Sequence, residues 1–285
     1  MSRAESPLRG RMIFNVGARR SGTYWLQRVV TAHPTVAAIP SETHLLSHGI
    51  APLLKLFQHE DPDSPEVGQA YAERDALIDA TRDLCDSVFS PYGAGCERIA
   101  ERTPLHVLHL ALIAEIYPDA KFVHIIRDGR DVARSISAQP WGPANIAGAA
   151  REWRECVVAG RAAALKSDQL LEVRYERLLK NPEKEIERLY TWLGLPSSEQ
   201  DLAYPLAEAR RETNVDSRGV SGVATGKWKR SFTHGDLTAF EREGGALLEE
   251  LGYQLGEHSA LATGSRLAGR LSSRLRAGRN DVGAE

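Results

Sequence analysis

Two arginine-bearing loops in this sequence have the makeup of an anion-binding site. Gly17-Ala18-Arg19-Arg20-Ser21-Gly22-Thr23 follows the apolar run Met12–Val16 and leads into helix-like spacing at Trp25, Leu26, Val29 and Val30. Gly17 and Gly22 have the G-x-x-x-x-G spacing of a phosphate-binding loop. Glycines let the backbone turn so that successive N–H groups converge, and the start of a helix adds favourable partial charge. A nucleoside-triphosphatase loop would continue with Lys and a Mg²⁺-binding Ser or Thr. Here Thr23-Tyr24 follows, and the cation comes earlier, at Arg20. A second apolar run, Lys121–Ile126, ends in Arg127 with Asp128 beside it, where a metal-dependent enzyme would place an aspartate. Two cationic strand ends suit a ligand with phosphates at two places and no metal between them, because Mg²⁺ needs oxygen ligands aimed at it.

These two segments and three others, in order along residues 12–253, resemble the sulfotransferases that use 3′-phosphoadenosine 5′-phosphosulfate. Arg20-Ser21-Gly22-Thr23-Tyr24-Trp25 is similar to their 5′-phosphosulfate loop, [KR]-S-G-T-T-W. Arg127-Asp128-Gly129-Arg130-Asp131-Val132-Ala133-Arg134-Ser135 is similar to their 3′-phosphate motif, in which an Arg and a Ser eight positions later share that phosphate. Tyr175-Glu176-Arg177-Leu178-Leu179 with Asn181-Pro182 resembles the Y-E-x-L…P segment. Leu193-Gly194-Leu195 resembles the end of the helix that follows, and Gly226-Lys227-Trp228-Lys229 resembles G-x-W-[KR]. The resemblance implies sulfuryl transfer from 3′-phosphoadenosine 5′-phosphosulfate as co-substrate, without a metal. It places Arg20, Ser21, Gly22, Thr23 and Tyr24 at the 5′-phosphosulfate. Trp25 and Tyr175 fall towards the adenine, each with a core position as the alternative, and Arg127 and Ser135 fall on the 3′-phosphate. Arg218-Gly219 and Gly226-Lys227 partly match the closure segment R-K-G-x-x-G-x-W-K with a longer spacing, so Arg218 is the first choice to reach the 3′-phosphate and Lys227 the second.

The acceptor half departs from the small-molecule branch of the family. That branch carries its base as the His of K-[TS]-H; here the stretch reads Arg102-Thr103-Pro104, with His106 two residues further on as a substitute. His33-Pro34 followed by Ser41-Glu42-Thr43 resembles instead the A-H-P…E-E-T run of tyrosylprotein sulfotransferases. The resemblance implies Glu42 as general base, with Arg20 and Arg102 stabilising the transferred group and the leaving phosphate. His44 is close enough to be a rival base. Residues 44–96 and the turn Gln139-Pro140-Trp141-Gly142 are expected to line the acceptor pocket.

Elements must hold these residues in place. Met12–Val16, Lys121–Ile126 and Leu170–Arg174 read as buried strands. Helical spacing is expected over 23–32, 66–90, 104–116, from Asp128 onward and over 182–193, the last closed by Gly194. Strands alternating with helices predict an α/β fold, a single P-loop-type domain with a central parallel sheet flanked by helices. The domain is expected over 11–256, after a polar tail at 1–10. The chain ends in a basic tail, 257–285, where Leu267, Leu271 and Leu275 recur beside Arg266, Arg270 and Arg274. That stripe suits either a solvated tail or peripheral contact of residues 261–280 with a membrane or a partner.

Composition narrows the class. The net charge of −2 provides no general basic field for nucleic acid. Of the 36 basic side chains only 7 are lysine; an arginine bias suits phosphate grip and also follows from a GC-rich genome. Three cysteines, Cys85, Cys96 and Cys156, without metal-site spacing, fit a reducing cytoplasm and no disulfide framework. The polar N-terminus has no apolar run of a signal peptide. The expected function is sulfuryl transfer to a hydroxyl on a small molecule, sugar or glycolipid. A P-loop kinase of a small metabolite and a non-catalytic nucleotide-binding module are the competing readings.

Overall fold

The computed structural model describes residues 5–57, 73–212 and 225–256. Its first units are β1 (Met12–Val16), α1 (Thr23–Val30), β2 (Val36–Ala38), α2 (Ala51–Phe57) and α3 (Arg74–Phe89). β3 (Arg98–Glu101), α4 (Leu110–Ile116), β4 (Lys121–Ile126), α5 (Gly129–Ser137) and α6 (Ile146–Ala162) follow. The last are β5 (Leu170–Arg174), α7 (Tyr175–Lys180), α8 (Pro182–Leu193), α9 (Glu199–Glu212) and α10 (His234–Glu250). All strand pairs are parallel, in the order β2-β3-β1-β4-β5. The expected α/β fold with a central parallel sheet is therefore the one observed.

Strand alternation explains why β1 reads as one apolar run: both of its faces are covered. Met12, Phe14 and Val16 join a core layer with Phe122, Val132, Ile136, Trp153 and Phe240, which brings α5, α6 and α10 onto that face. Ile13 joins the opposite layer with Leu26, Val29, Val123, Val173, Ile186 and Leu189, which seats α1 and α8. Asn15, also on β1, is buried with its amide nitrogen paired, though its side-chain oxygen has no partner. Its amide donates to Gln27 Oε1 at 2.6 Å, and Gln27 Nε2 donates to the Ala100 carbonyl at 2.8 Å.

The ends of the elements follow local chemistry. Pro182 opens α8, and Gly194 closes it with φ 71°, a left-handed turn that glycine adopts at little cost. Residues 104–116 form a 3₁₀ segment, Pro104–His109, before α4, rather than one continuous helix. A wide π turn, Leu45–Ile50, starts at His44, whose φ is 53°. Among the described residues no helix is long and apolar enough to cross a membrane.

In this strand order β1 lies between β3 and β4, so the chain leaves β1 towards one side of the sheet and returns on the other. Such a switch point opens a crevice at the carboxyl ends of the strands. Four strand ends meet there: the glycine loop after β1, Arg102 after β3, Arg127 after β4 and Tyr175 after β5.

Candidate active site

The loop after β1 is shaped by backbone constraints. Arg20 has φ 69° and Gly22 has φ 102°, so the chain alternates through the left-handed region. A Cβ on Gly22 would sit 2.7 Å from the Tyr175 ring, and one on Gly17 would sit 2.6 Å from the Ile125 carbonyl oxygen. Both glycines therefore allow close approach as well as turning. Leu26 N makes the first bond of α1, to the Gly22 carbonyl, so the amides of Thr23, Tyr24 and Trp25 precede the helical ladder. The Ser21 hydroxyl is buried in the same loop and has no hydrogen-bond partner.

Arg20 reaches across to α5, where its Nε donates to Ser135 Oγ at 3.0 Å. Arg127 Nη1 donates to the Arg20 carbonyl at 3.3 Å, and its guanidinium lies 4.2 Å from the Tyr175 ring centroid. Thus Arg20, Arg127, Ser135 and Tyr175 are brought together at one end of the crevice. Trp25 and Tyr175 are each 2% exposed and meet edge to face at 5.0 Å, in the apolar layer beneath the loop. Tyr24 is 60% exposed. Arg19, next to Arg20, is engaged elsewhere, donating to both Glu152 oxygens at 2.7 and 2.6 Å with its guanidinium 4.4 Å from the exposed Trp141 ring.

The other end of the crevice carries the carboxylate. Arg102 Nη1 donates to Glu42 Oε1 at 2.6 Å, and His44 Nε2 is 3.5 Å from Glu42 Oε2. The Arg102 guanidinium also lies 5.2 Å from the Tyr24 ring, so this pair and the glycine loop share a wall. His44 stacks on His48 at 4.9 Å. His106 does not belong to the crevice. Its side chain is 0% exposed, 3.6 Å from Glu101 Oε2, and burial pushes its pKa down to about 3. A ring enclosed there cannot meet an acceptor hydroxyl, which removes His106 as the substitute base.

Arg218 lies outside the described residues, as does the tail with its leucines and arginines. Lys227 is half-buried in a short turn, Lys227–Arg230, next to the described end of that gap. Two residues that sequence reasoning passed over organise the crevice. Asp131, inside the Arg127–Ser135 motif, accepts from Gly226 N at 2.6 Å and Trp228 N at 2.9 Å, while the Arg130 guanidinium lies 4.0 Å from the Trp228 ring. This ties the turn that carries Lys227 to the motif that carries Ser135; the twin aspartates of the motif were the available signal. The second is Glu101, fully buried at the end of β3, and nothing in its sequence neighbourhood marks a buried carboxylate.

A P-loop-type α/β fold with Arg20 and Arg127 at the strand ends, where a P-loop nucleoside-triphosphatase carries its lysine and metal-binding aspartate, defines the class. The chain belongs to the sulfotransferase family, whose model matches residues 12–199. It is 22% identical over 262 residues to the protein-tyrosine sulfotransferase of Drosophila melanogaster; the match covers 85% of this chain and about half, 51%, of that relative. Among solved structures, its fold resembles the sulfotransferase domain of the Synechococcus PCC 7002 olefin synthase, with TM-score 0.56, 18% identity and coverage of 90% and 100% of the two chains. It also resembles mouse sulfotransferase SULT7A1, solved in complex with PAP, with TM-score 0.50, 16% identity and coverage of 85% and 89%. Among the described residues no group of three or more His, Cys, Asp or Glu side chains could hold a metal ion.

Proposed function

We propose that this chain moves a sulfuryl group from 3′-phosphoadenosine 5′-phosphosulfate to an acceptor hydroxyl, with Glu42 as general base, and that residues 11–256 form the unit that does so. The observation that carries the reading is the juxtaposition, across the carboxyl end of the sheet, of the Arg20–Arg127–Ser135 cluster with the Glu42–Arg102 pair. The residues fit the donor on their own chemistry. The buried Ser21 hydroxyl lacks a partner, and the amides at the start of α1 are open. The donor supplies an activated sulfuryl group on a phosphate leaving group.

The chain's own residues then divide the work. Arg20, Ser21 and the amides of Gly22 and Thr23 hold the 5′ end and neutralise the charge that grows on the leaving phosphate oxygen. Arg127 and Ser135 hold the 3′-phosphate, joined by Arg218 as first choice or Lys227 as second. Glu42 takes the proton of the acceptor hydroxyl as its oxygen bonds to sulfur and the bond from sulfur to the phosphate oxygen breaks. Arg102 lies between the carboxylate and the loop, where it can turn from Glu42 to the sulfuryl oxygens. The acceptor is a hydroxyl on a small molecule, sugar or glycolipid, approached past the exposed rings of Tyr24 and Trp141.

The test is transfer from radiolabelled donor by wild type and Glu42→Ala to a panel comprising p-nitrophenol, a tyrosine peptide, a monosaccharide and a glycolipid. Wild type should label at least one of these, and Glu42→Ala should lose on the order of a hundredfold or more in kcat. Equal rates would remove Glu42 as the base. Calorimetry with the desulfated nucleotide against ATP–Mg²⁺ separates this reading from the kinase, which would bind ATP more tightly.

A further inference from the structure

We propose that Glu101 is a positioning residue for the transfer step, holding the loop that bears Glu42 against the segment that bears Arg102. The proposal rests on the reading of Glu42 and Arg102 given above. Glu101 Oε1 accepts from Thr103 Oγ1 at 2.6 Å and from Thr43 Oγ1 at 2.9 Å, with Thr43 N at 3.4 Å. Thr103 Oγ1 in turn accepts from Thr43 N at 3.0 Å and His44 N at 3.3 Å. Thr43 and His44 directly follow Glu42, and Thr103 directly follows Arg102. One carboxylate oxygen is therefore the common point of two loops, and each loop presents one member of the 2.6 Å Glu42–Arg102 pair.

The chemistry of the hub suits positioning. Oε1 of a carboxyl group accepts in either protonation state, so it can take hydroxyl and amide donors from both loops at once. Glu101 and Thr103 are both 0% exposed, so neither can exchange these partners for water. The carboxyl end of β3, an inner strand between β2 and β1, carries the hub, which is a rigid place from which a loop residue can be fixed to a fraction of an ångström. A displacement of about 1 Å between base and acceptor can cost roughly a hundredfold in rate. The other oxygen, Oε2, has no hydrogen-bond partner and faces the buried His106 ring, so Glu101 itself has no route to an acceptor hydroxyl.

The experiment compares wild type, Glu101→Met, Glu101→Gln, Thr43→Val and the Glu101→Met/Thr43→Val double variant as full chains. Readouts are kcat on the best acceptor of the panel, calorimetric Kd for the desulfated nucleotide, and crystal structures of wild type and Glu101→Met with that nucleotide. Methionine keeps the volume and removes the acceptors, so kcat should fall ten- to a hundredfold while the nucleotide Kd stays within twofold. Glutamine, which keeps one acceptor oxygen, should recover part of the loss. The double variant should be no slower than Glu101→Met, because both changes cut the same link. The Glu42–Arg102 contact should open in the Glu101→Met crystal.

Unchanged kcat in Glu101→Met, or an intact Glu42–Arg102 contact there, would overturn the proposal. So would a nucleotide Kd that worsens in step with kcat, since that marks general damage to the sheet. If Glu42→Ala transfers normally while Glu101→Met does not, the reading of Glu42 falls and the hold on Arg102 stands. If Glu42→Ala is inactive while Glu101→Met is normal, the base reading stands and positioning falls. Should no acceptor be labelled at all, the crystal comparison alone decides.

Discussion

Arg20 and Arg19 are neighbours with opposite fates, and the difference lies in what each can reach. Arg19 is held by both oxygens of Glu152, a bidentate pair that fixes a guanidinium in place. Arg20, turned by its left-handed backbone, points across the crevice and is held by the hydroxyl of Ser135. A neutral hydroxyl is a weak hold on an arginine, so on the proposed reading donor binding parts the two, Arg20 going to the 5′-phosphosulfate and Ser135 to the 3′-phosphate. Ser135→Ala should therefore weaken binding of the desulfated nucleotide about tenfold, the loss of one hydrogen bond to a charged group, roughly 1.5 kcal/mol. Thermal stability should be unaffected, because the hydroxyl bonds no core group. Calorimetry checks this, and an unchanged Kd would take Ser135 out of the donor site. The residue pair was legible from its spacing alone, whereas Glu101 was not. A glutamate in a sequence is read as exposed, since carboxylates are almost never fully buried unless partnered. Its partners, Thr43 and Thr103, come from two loops whose meeting only the fold arranges.

Among the elements, β1 and β4 were readable because strands covered on both faces are largely apolar, and β5, a partly buried edge strand, from its short Leu170–Val173 run; all three residue ranges came out as expected. β2 and β3 were not readable. Val36–Ala38 is too short to show a period, and Arg98–Glu101 carries charges at both ends whose partners are remote. Arg98 is tied to the Leu193 carbonyl, and Glu101 to Thr43 and Thr103. The glycine loop was readable from its context between a strand and a helix, but its closeness to Tyr175 was not. That closeness gives the loop its most exacting position. Gly22→Ala combines a positive φ with a Cβ at 2.7 Å from the Tyr175 ring. The backbone alone should cost about 1–2 kcal/mol, and displacing Tyr175 would disturb Arg127, which lies over it. The variant should fold with a lowered Tm and lose nucleotide binding at least tenfold. Retention of wild-type affinity would mean that the loop is not shaped around its ligand in the way described.

At the scale of the whole molecule, the two core layers enclose ionisable groups whose titration couples stability to pH. His124 lies on β4 with a fully buried ring, its Nδ1 and Nε2 without hydrogen-bond partners. The ring packs so closely on α6 that a Cβ on Gly160 would come within 2.6 Å of Nδ1. Burial, with lesser contributions from Arg161 and Arg174, pushes its pKa from the ordinary 6.5 down to about 3. A depressed histidine favours the folded state fully above the unfolded value and progressively less as pH falls towards the folded one. His106 acts in the same sense, again from 6.5 to about 3. Glu101 opposes it: burial raises its pKa from 4.5 to about 7, so its contribution is present below 4.5 and lost as pH rises through 7. Glu101 and His106, 3.6 Å apart, therefore pull stability in opposite directions over this range. His124 has no such counterpart, so its own share of about 2 kcal/mol is lost on acidification. His124→Gln cannot titrate. It should be less stable than wild type at pH 7, but the gap should narrow by about 2 kcal/mol at pH 5. Urea unfolding of both proteins at the two pH values measures this, and a gap that does not narrow would mean that His124 is not kept neutral by the fold.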